Sequence, residues 1–254
     1  VKKISVTLIT FNESTKVERA LKSISPLADE IVVVDSFSTD ETEEICRKYT
    51  DRFLKRVWPG YRDQKNFALG QATHEWVMSI DADEVVSQAL LGELLVWKNS
   101  EAAHAGYLMP RRTFFMGRWI YHTTWYPDWQ LRLFRKSKAS WVGGRVHESI
   151  RVVGSVKRME NVIEHYTYSD ISEYLAQLQN FTTLSARDYF DQGRRTHLSQ
   201  LVLNPAVGFV RNYFLCRGFL DGVAGLVISC LAAVSVFFKF LKLWELQNSA
   251  KDKS

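Results

Sequence analysis

Two carboxylates two residues apart, Asp81 and Asp83, follow directly on the apolar run Trp76-Val77-Met78-Ser79-Ile80. An apolar run that stops at paired acids reads as a buried strand with carboxylates at its carboxyl end, the edge where open α/β sheets bind ligands. Carboxylates there suit a hard divalent cation, because Mg²⁺ is usually held by one or two of them together with substrate phosphates. The chemistry on offer is therefore a metal–diphosphate site. Acids also end strands as plain turn formers, so this motif needs support from other segments.

That support comes from two more strand ends. Ile4 to Ile9 is a β-branched run followed by Thr10-Phe11-Asn12-Glu13, and Glu30 to Val34 is a second buried run ending at Asp35-Ser36, with Asp40 close behind. In a parallel sheet the three ends share one edge and can converge on one ligand. For Asp40 a helix cap is the better reading, since Glu43 three residues on completes a capping box. No G-x-G-x-x-G follows the first strand and no P-loop motif is present. A dinucleotide dehydrogenase or a P-loop NTPase is thereby disfavoured, and a nucleotide held by carboxylates and a metal fits better.

The elements that must position these residues alternate. Val17, Ala20, Leu21 and Ile24 recur at helical spacing, Phe53 to Val57 is a short third strand, Asp63 to Ala72 a helix, and Trp76 to Ile80 the fourth strand. Such alternation predicts a mainly parallel central sheet with helices on both faces. From Gly106 to Ile163 the chain is rich in Trp, Tyr, Arg and Gly, which predicts short strands and loops covering the sheet edge. A helical period returns over Asp170 to Gly193. Val223 to Phe238 is 16 residues without a charge, short of the ~20 that a spanning helix needs. Gly222, Gly225, Ser229 and Ala232 form a stripe of small residues on it, while Arg211, Arg217, Lys239 and Lys242 flank it. A helix lying in a membrane surface is expected, with packing in a homo-oligomer or on the domain, and a true span, as the alternatives.

Composition is that of a globular protein: 254 residues, 46% hydrophobic, 24% charged. The net charge of +5 favours anionic partners, and no basic helix or aromatic-basic pattern points to nucleic acid. Cys46, Cys216 and Cys230 lack metal spacing and read as thiols of a reducing compartment. With an amino-terminal apolar run too short for a signal peptide, the expected location is cytoplasmic.

The motifs Thr10-Phe11-Asn12-Glu13, Val34-Asp35-Ser36 with Asp40, Arg62-Asp63-Gln64-Lys65-Asn66-Phe67-Ala68 and Asp81-Ala82-Asp83, in this order, resemble the family 2 inverting glycosyltransferases. The resemblance covers roughly residues 4–150. It implies a single nucleotide-sugar-binding α/β domain (GT-A type) with a mainly parallel central sheet, followed here by C-terminal helices. It also implies that Glu13 and Asp35 contact the uracil and ribose, that Arg62 and Lys65 lie near the nucleotide, that Asp81 supports ribose or metal, and that Asp83 binds the Mg²⁺ or Mn²⁺ bridging the diphosphate. Thr10, Asn12 and Ser36 belong to the same nucleotide-sugar set. A metal and a cation aimed at the departing diphosphate would stabilise its developing charge. Arg132, in a segment similar to the Gln-x-x-Arg-Trp of related synthases but differently spaced, is the candidate cation.

Inversion needs one general base, and Glu148 is the candidate, because Trp141-Val142-Gly143-Gly144-Arg145-Val146-His147-Glu148 resembles the family's glycine-rich acceptor loop, whose acid is the base. Asp128 is the alternative base. Trp141 would stack on a sugar face, and His147 would complete the metal shell. The segments His165-Tyr166-Thr167-Tyr168-Ser169-Asp170, Gly218-Phe219-Leu220-Asp221-Gly222 and Lys242-Leu243-Trp244-Glu245 resemble bacterial lipopolysaccharide inner-core β-1,4-glucosyltransferases. That resemblance implies UDP-glucose as donor, a heptose of the lipid-linked core as acceptor, and work at the cytoplasmic face of the inner membrane; an enzyme acting on another lipid-linked or capsule acceptor is the alternative. A nucleotidyltransferase is disfavoured by the absence of a glycine-rich loop after the first strand, and a non-catalytic nucleotide-sugar-binding scaffold by the intact acids. The expected organisation is a nucleotide-sugar and acceptor domain over 1–165, a helical extension over 166–246, and a disordered polar tail over 247–254.

Overall fold

The structure, a computed structural model, describes residues 1–143, 148–168 and 170–251. The chain divides into two compact units: Val1–Thr113, Asp128–Gly143 and His147–Thr167 in the first, and Phe114–Pro127, Gly144–Val146 and Tyr168–Ser254 in the second.

In the first unit strands and helices alternate as β1 (Ile4–Thr10), α1 (Val17–Ile24), β2 (Glu30–Asp35), α2 (Thr42–Arg47), β3 (Phe53–Lys55), α3 (Tyr61–Gln71) and β4 (Trp76–Ser79). β3, β2, β1 and β4 lie side by side and parallel, with Thr10 opposite Asp35 and Thr7 opposite Ser79. The three chemistry-bearing strand ends therefore do share one edge. Side chains of a strand alternate between the faces of a sheet. Ile31 and Val33 of β2 pack in the large core with Val17, Leu21 and Ile24 of α1, while Val32 and Val34 face Ala68 of α3 on the other side.

The middle segment extends the sheet instead of merely covering its edge. β6 (Gly106–Phe115) and β8 (Asp128–Arg135) are long, β8 pairs antiparallel with β4, and the order continues β8-β6-β12-β5. The two end strands are β12 (Ile163–His165) and β5 (Glu84–Val86). Alternating Trp, Arg and Tyr with few β-branched residues hid these strands; half-buried positions accept such residues when tertiary packing covers one face. A helix, α4 (Gln88–Asn99), was also unforeseen, although Ser87 caps it by accepting from Leu90 N–H and Leu90, Leu91, Leu94 and Trp97 line its buried face. β7 (Arg118–Trp119) returns on the end of β6, β9 (Ala139–Gly143) and β10 (Glu148–Val152) form a separate two-stranded ribbon, and β11 (Val156–Arg158) joins β6. The Asp40 capping box does not form. Helix α2 starts at Thr42, whose N–H and hydroxyl both donate to Asp40, and Glu43 pairs with Arg47 and Lys55.

The second unit holds α5 (Ile171–Asp191), α6 (Leu198–Val210) and α7 (Gly222–Lys251). Asp170 caps α5 by accepting from Glu173 N–H at 2.8 Å. Tyr174, Leu178, Thr182 and Ala186 make its buried face, whereas Ile171 and Leu175 are exposed. The small-residue stripe of α7 performs its packing role: a Cβ on Gly225 would stand 1.8 Å from the Gly218 carbonyl oxygen, and Ser229 is fully buried. By length and composition Gly218–Ser249 is a helix able to cross a membrane, and 22% of its apolar window is buried in the protein. The expected disordered tail is in part helical, since α7 runs to Lys251 and Gln247 is anchored to Thr196 through hydrogen bonds of 2.7 and 3.2 Å.

Candidate active site

Lys65, on α3, has its ammonium 3.0 Å from Asp81 Oδ1 and donates to Glu148 Oε1 at 3.0 Å. It is 6% exposed and also lies 4.6 Å from the centroid of the Trp141 ring. Two elements far apart in sequence are thereby joined, the D-x-D turn after β4 and the start of β10. Burial alone would pull the Lys65 ammonium down, but Asp81 and Glu148 outweigh it and its pKa is raised. Asn66 fixes the same ribbon, donating to the Trp141 carbonyl and accepting from Trp141 N–H, both at 2.9 Å. Trp141 is itself 6% exposed and packs with Leu69, Val77 and Phe134. It is a core residue, which corrects the expectation that it stacks on a sugar.

The D-x-D turn is built on a buried charge network. Glu84, fully buried, accepts from Asp81 N–H at 3.1 Å, from Arg111 at 3.0 Å and from Arg132. Arg132 is 3% exposed and bridges Asp81 and Glu84. Burial opposes the charge of Asp81, yet Arg132, Lys65 and Arg111 hold its carboxyl far below the usual carboxylate range. The guanidinium expected to face the diphosphate is therefore an anchor beneath Asp81, an arrangement that keeps a buried cation paired. Asp128 is engaged on both oxygens, Oδ2 by Arg111 at 2.9 and 2.6 Å and Oδ1 by Gln130 at 2.8 Å.

Asp83 has a partner that the sequence reading did not put in the site. His165 Nε2, at the end of β12, lies 3.3 Å from Asp83 Oδ2, and Tyr166 N–H donates to the Asp83 carbonyl at 2.9 Å. Burial would raise the Asp83 carboxyl, but His165 brings it below its ordinary value. A carboxylate oxygen beside an imidazole nitrogen suits Mn²⁺-type ions, with the remaining positions left to phosphate and water. Among the described residues no cluster of three or more His, Cys, Asp or Glu could hold a metal alone. His147, named from the sequence as a ligand, lies outside the described residues. The signal that could have found His165 is its position, a histidine closing a short apolar strand.

The residues expected on the nucleotide side lie on the neighbouring loops. Asp35 is fully buried, accepting from the hydroxyls of Thr10 (2.9 Å) and Ser38 and from Ser38 N–H (2.8 Å). Ser36 donates its N–H to the Thr10 carbonyl and its hydroxyl accepts from Gln64. Asn12, with φ of 55°, accepts from Thr39 N–H through its side chain, which ties the first loop to the second. Glu13 N–H donates to Thr42 and Ser14 N–H to Asp40. Burial works against Asp40, but hydrogen bonds from Thr42 and Ser14 lower its carboxyl to about 2. Arg62 is exposed and turns to Asp63 at 2.8 Å, so it is not drawn into the cluster. Tyr61 is exposed as well, its ring edge-on to Trp58 with centroids 4.7 Å apart.

The model of glycosyl transferase family 2 matches residues 5–159, more than half of the chain. The chain belongs to that family. This family 2 chain is 30% identical to the lipopolysaccharide core biosynthesis glycosyltransferase LpsC of Rhizobium meliloti, over 95% of its own length and 92% of the relative's. It is also 30% identical to an uncharacterized glycosyltransferase of Rickettsia conorii, over 98% and 91% of the two chains. Among solved structures, Staphylococcus aureus TarS 1–349 in complex with UDP matches at 14% identity and a TM-score of 0.47, covering 99% of this chain and 92% of that one. The protein is thus a glycosyltransferase of α/β architecture with C-terminal helices.

Proposed function

We propose that this glycosyltransferase works with inversion, moving a hexose, glucose from UDP-glucose, onto a lipid-linked saccharide, a heptose of the lipopolysaccharide inner core, at the cytoplasmic face of the inner membrane. Support for the acceptor class comes from LpsC, a lipopolysaccharide core enzyme similar over nearly the whole chain. The observation that carries the mechanism is the Lys65 bridge, 3.0 Å to Asp81 and 3.0 Å to Glu148, because it puts the candidate base beside the donor-side carboxylates. Glu148 is 14% exposed, so it is reachable yet largely shielded from water. In the proposed reaction Glu148 takes the proton of the acceptor hydroxyl as that oxygen attacks the sugar carbon, and the nucleoside diphosphate leaves from the opposite face. Asp83 and His165 would hold Mg²⁺ or Mn²⁺. Such an ion supplies positive charge to the departing diphosphate. Lys65 and Arg132 hold Asp81 and Glu148 in place, and the loops carrying Thr10, Asn12, Glu13, Asp35 and Ser36 shape the nucleoside end.

Calorimetric titration with UDP and UDP-glucose, with and without Mn²⁺, tests the reading. Metal-dependent binding that His165→Ala weakens at least ~10-fold, the usual lower effect for a metal-shell residue, is the expected result. Absence of UDP binding in every condition would remove the donor assignment. Binding of UDP-glucose without transfer to heptose-bearing core acceptor would remove the acceptor assignment alone.

A further inference from the structure

The exposed face of α6 is apolar, the reverse of what water selects. Leu198, Val202, Leu203, Val207, Val210 and Phe214 recur at helical spacing, and each is between 47% and 70% exposed. They form one stripe on the side of the helix turned away from its own unit, where Leu201 and Asn212 are buried. The helix continues past Val210 through one widened turn, Arg211–Leu215, and the stripe runs on into Leu215 and Leu220. Phe209 stacks on Tyr213 at 5.4 Å and Tyr213 meets Phe219 at 6.2 Å, so the surface is continuous around that turn. Contiguous exposed apolar surfaces mark interaction sites.

Charge identifies the occupant. Between residues 192 and 244 there are six basic side chains (Arg194, Arg195, Arg211, Arg217, Lys239, Lys242) and one acid, Asp221. Asp221 is buried and accepts from the backbone N–H groups of Tyr121 and His122. Arg194 and Arg195 stand at the start of α6, Arg211 and Arg217 at its end; all four are exposed, and among the described residues none pairs with a carboxylate. An apolar helix face bordered at both ends by arginines matches an anionic bilayer, whose acyl boundary takes the stripe and whose phosphates take the guanidinium groups. A second copy of the chain would set basic rim against basic rim. α6, with 13 residues, is too short to span; α7 is long and apolar enough, but its Lys242 donates to Gln179, Thr182 and Thr183 of α5, which ties it to its own unit.

We propose that the Leu198–Leu220 surface docks in the headgroup region of an anionic lipid bilayer, with α6 lying in the membrane plane and α7 as its support. The sequence had placed the membrane helix at Val223–Phe238, which also exposes Val223, Leu226, Val234 and Phe237; the more exposed apolar stripe lies on α6. This inference rests on the proposed lipid-linked acceptor for its biological sense, and its test is independent of the donor site.

The full chain is sedimented with vesicles of phosphatidylcholine alone or doped with phosphatidylglycerol, and UDP binding is titrated in parallel for every variant. Wild type is expected to bind the anionic vesicles preferentially and to be released by alkaline carbonate. Arg211→Gln with Arg217→Gln should weaken binding about 30-fold, at roughly fivefold per arginine. Val202→Glu with Val207→Glu should abolish it, and retained UDP affinity would show that both variants are folded. Equal binding to neutral vesicles, insensitive to the arginine changes, would overturn the proposal. So would carbonate-resistant insertion, or a failure to bind vesicles together with a dimer that Val202→Glu and Val207→Glu dissociate. Lost UDP binding in wild type with vesicle docking intact would instead count against the donor reading only.

Discussion

Glu148→Gln is the substitution that separates the proposed base from its alternative. The amide keeps the size of the carboxylate and can still accept from Lys65, which stands 3.0 Å away. What is lost is the negative charge and the ability to take a proton. A hydrogen bond to a charged group contributes about 1.5–3 kcal/mol. Because Asp81, also 3.0 Å from the ammonium, continues to compensate it, a stability loss of about 1–2 kcal/mol is expected, with a Tm shift of about 2–8 °C for a chain of this size. Turnover should suffer far more. General-base catalysis contributes ~10²–10⁴-fold, which at 1.36 kcal/mol per decade is about 2.7–5.4 kcal/mol of barrier. Asp128→Asn is the companion variant. Its carboxylate already accepts from Arg111 and Gln130, so the change should cost stability by unpairing Arg111 while turnover of the folded enzyme falls less than ~10-fold. The assay is UDP release from UDP-glucose with a saturating heptose-bearing core acceptor, alongside calorimetric UDP affinity. Wild-type turnover in Glu148→Gln, or a loss in Asp128→Asn as large as that expected for Glu148→Gln, would refute the reasoning.

Asp83→Asn and His165→Ala should each weaken metal-dependent UDP affinity by at least ~10-fold while leaving metal-free affinity unchanged, because the two side chains meet at 3.3 Å and, among the described residues, no third His, Cys, Asp or Glu joins them in a metal cluster. Asp40→Asn should destabilise the folded chain at neutral pH. The folded carboxyl, at about 2, lies below its unfolded value near 3.9, so the stabilisation is fully present above about pH 4 and is lost as pH falls through about 2. Denaturation midpoints of wild type and variant should thus converge in acid, and a pH-independent gap would contradict the hydrogen-bonding account. Gly225→Ala should lower stability by at least ~1–3 kcal/mol in urea denaturation, since the new Cβ would stand 1.8 Å from a backbone oxygen that cannot rotate away. An unchanged midpoint would show that the small-residue stripe is not in close contact.

The local elements of the first half were legible because each carries its own signal. β1, β2 and β4 are short apolar runs bounded by polar turns, and α1 shows Val17, Ala20, Leu21 and Ile24 at helical spacing, all of them buried. β6 and β8 were not legible, since their Arg, Trp and Tyr residues become strand residues only when a neighbouring strand covers one face. The D-x-D acids could be named from position alone. Their anchors could not: nothing local distinguishes Glu84, buried beneath two guanidinium groups, from the exposed acids of an ordinary turn.

The amino-acid sequence by itself determined the class of chemistry and the sign of the charge. Apolar runs ending in acids place carboxylates at strand ends because strand periodicity is a local consequence of residue type, and the six basic residues against one acid between residues 192 and 244 need only be counted. Only the tertiary structure decided how each acid is engaged, Glu148 by Lys65 and Asp128 by Arg111 and Gln130, that His165 faces Asp83, and that α6 carries an exposed apolar face. Those are pairings across long stretches of chain, as between Lys65 and Glu148, 83 residues apart. Whether a side chain is buried, paired or open to water depends on what the fold brings against it, and no spacing along the chain encodes that.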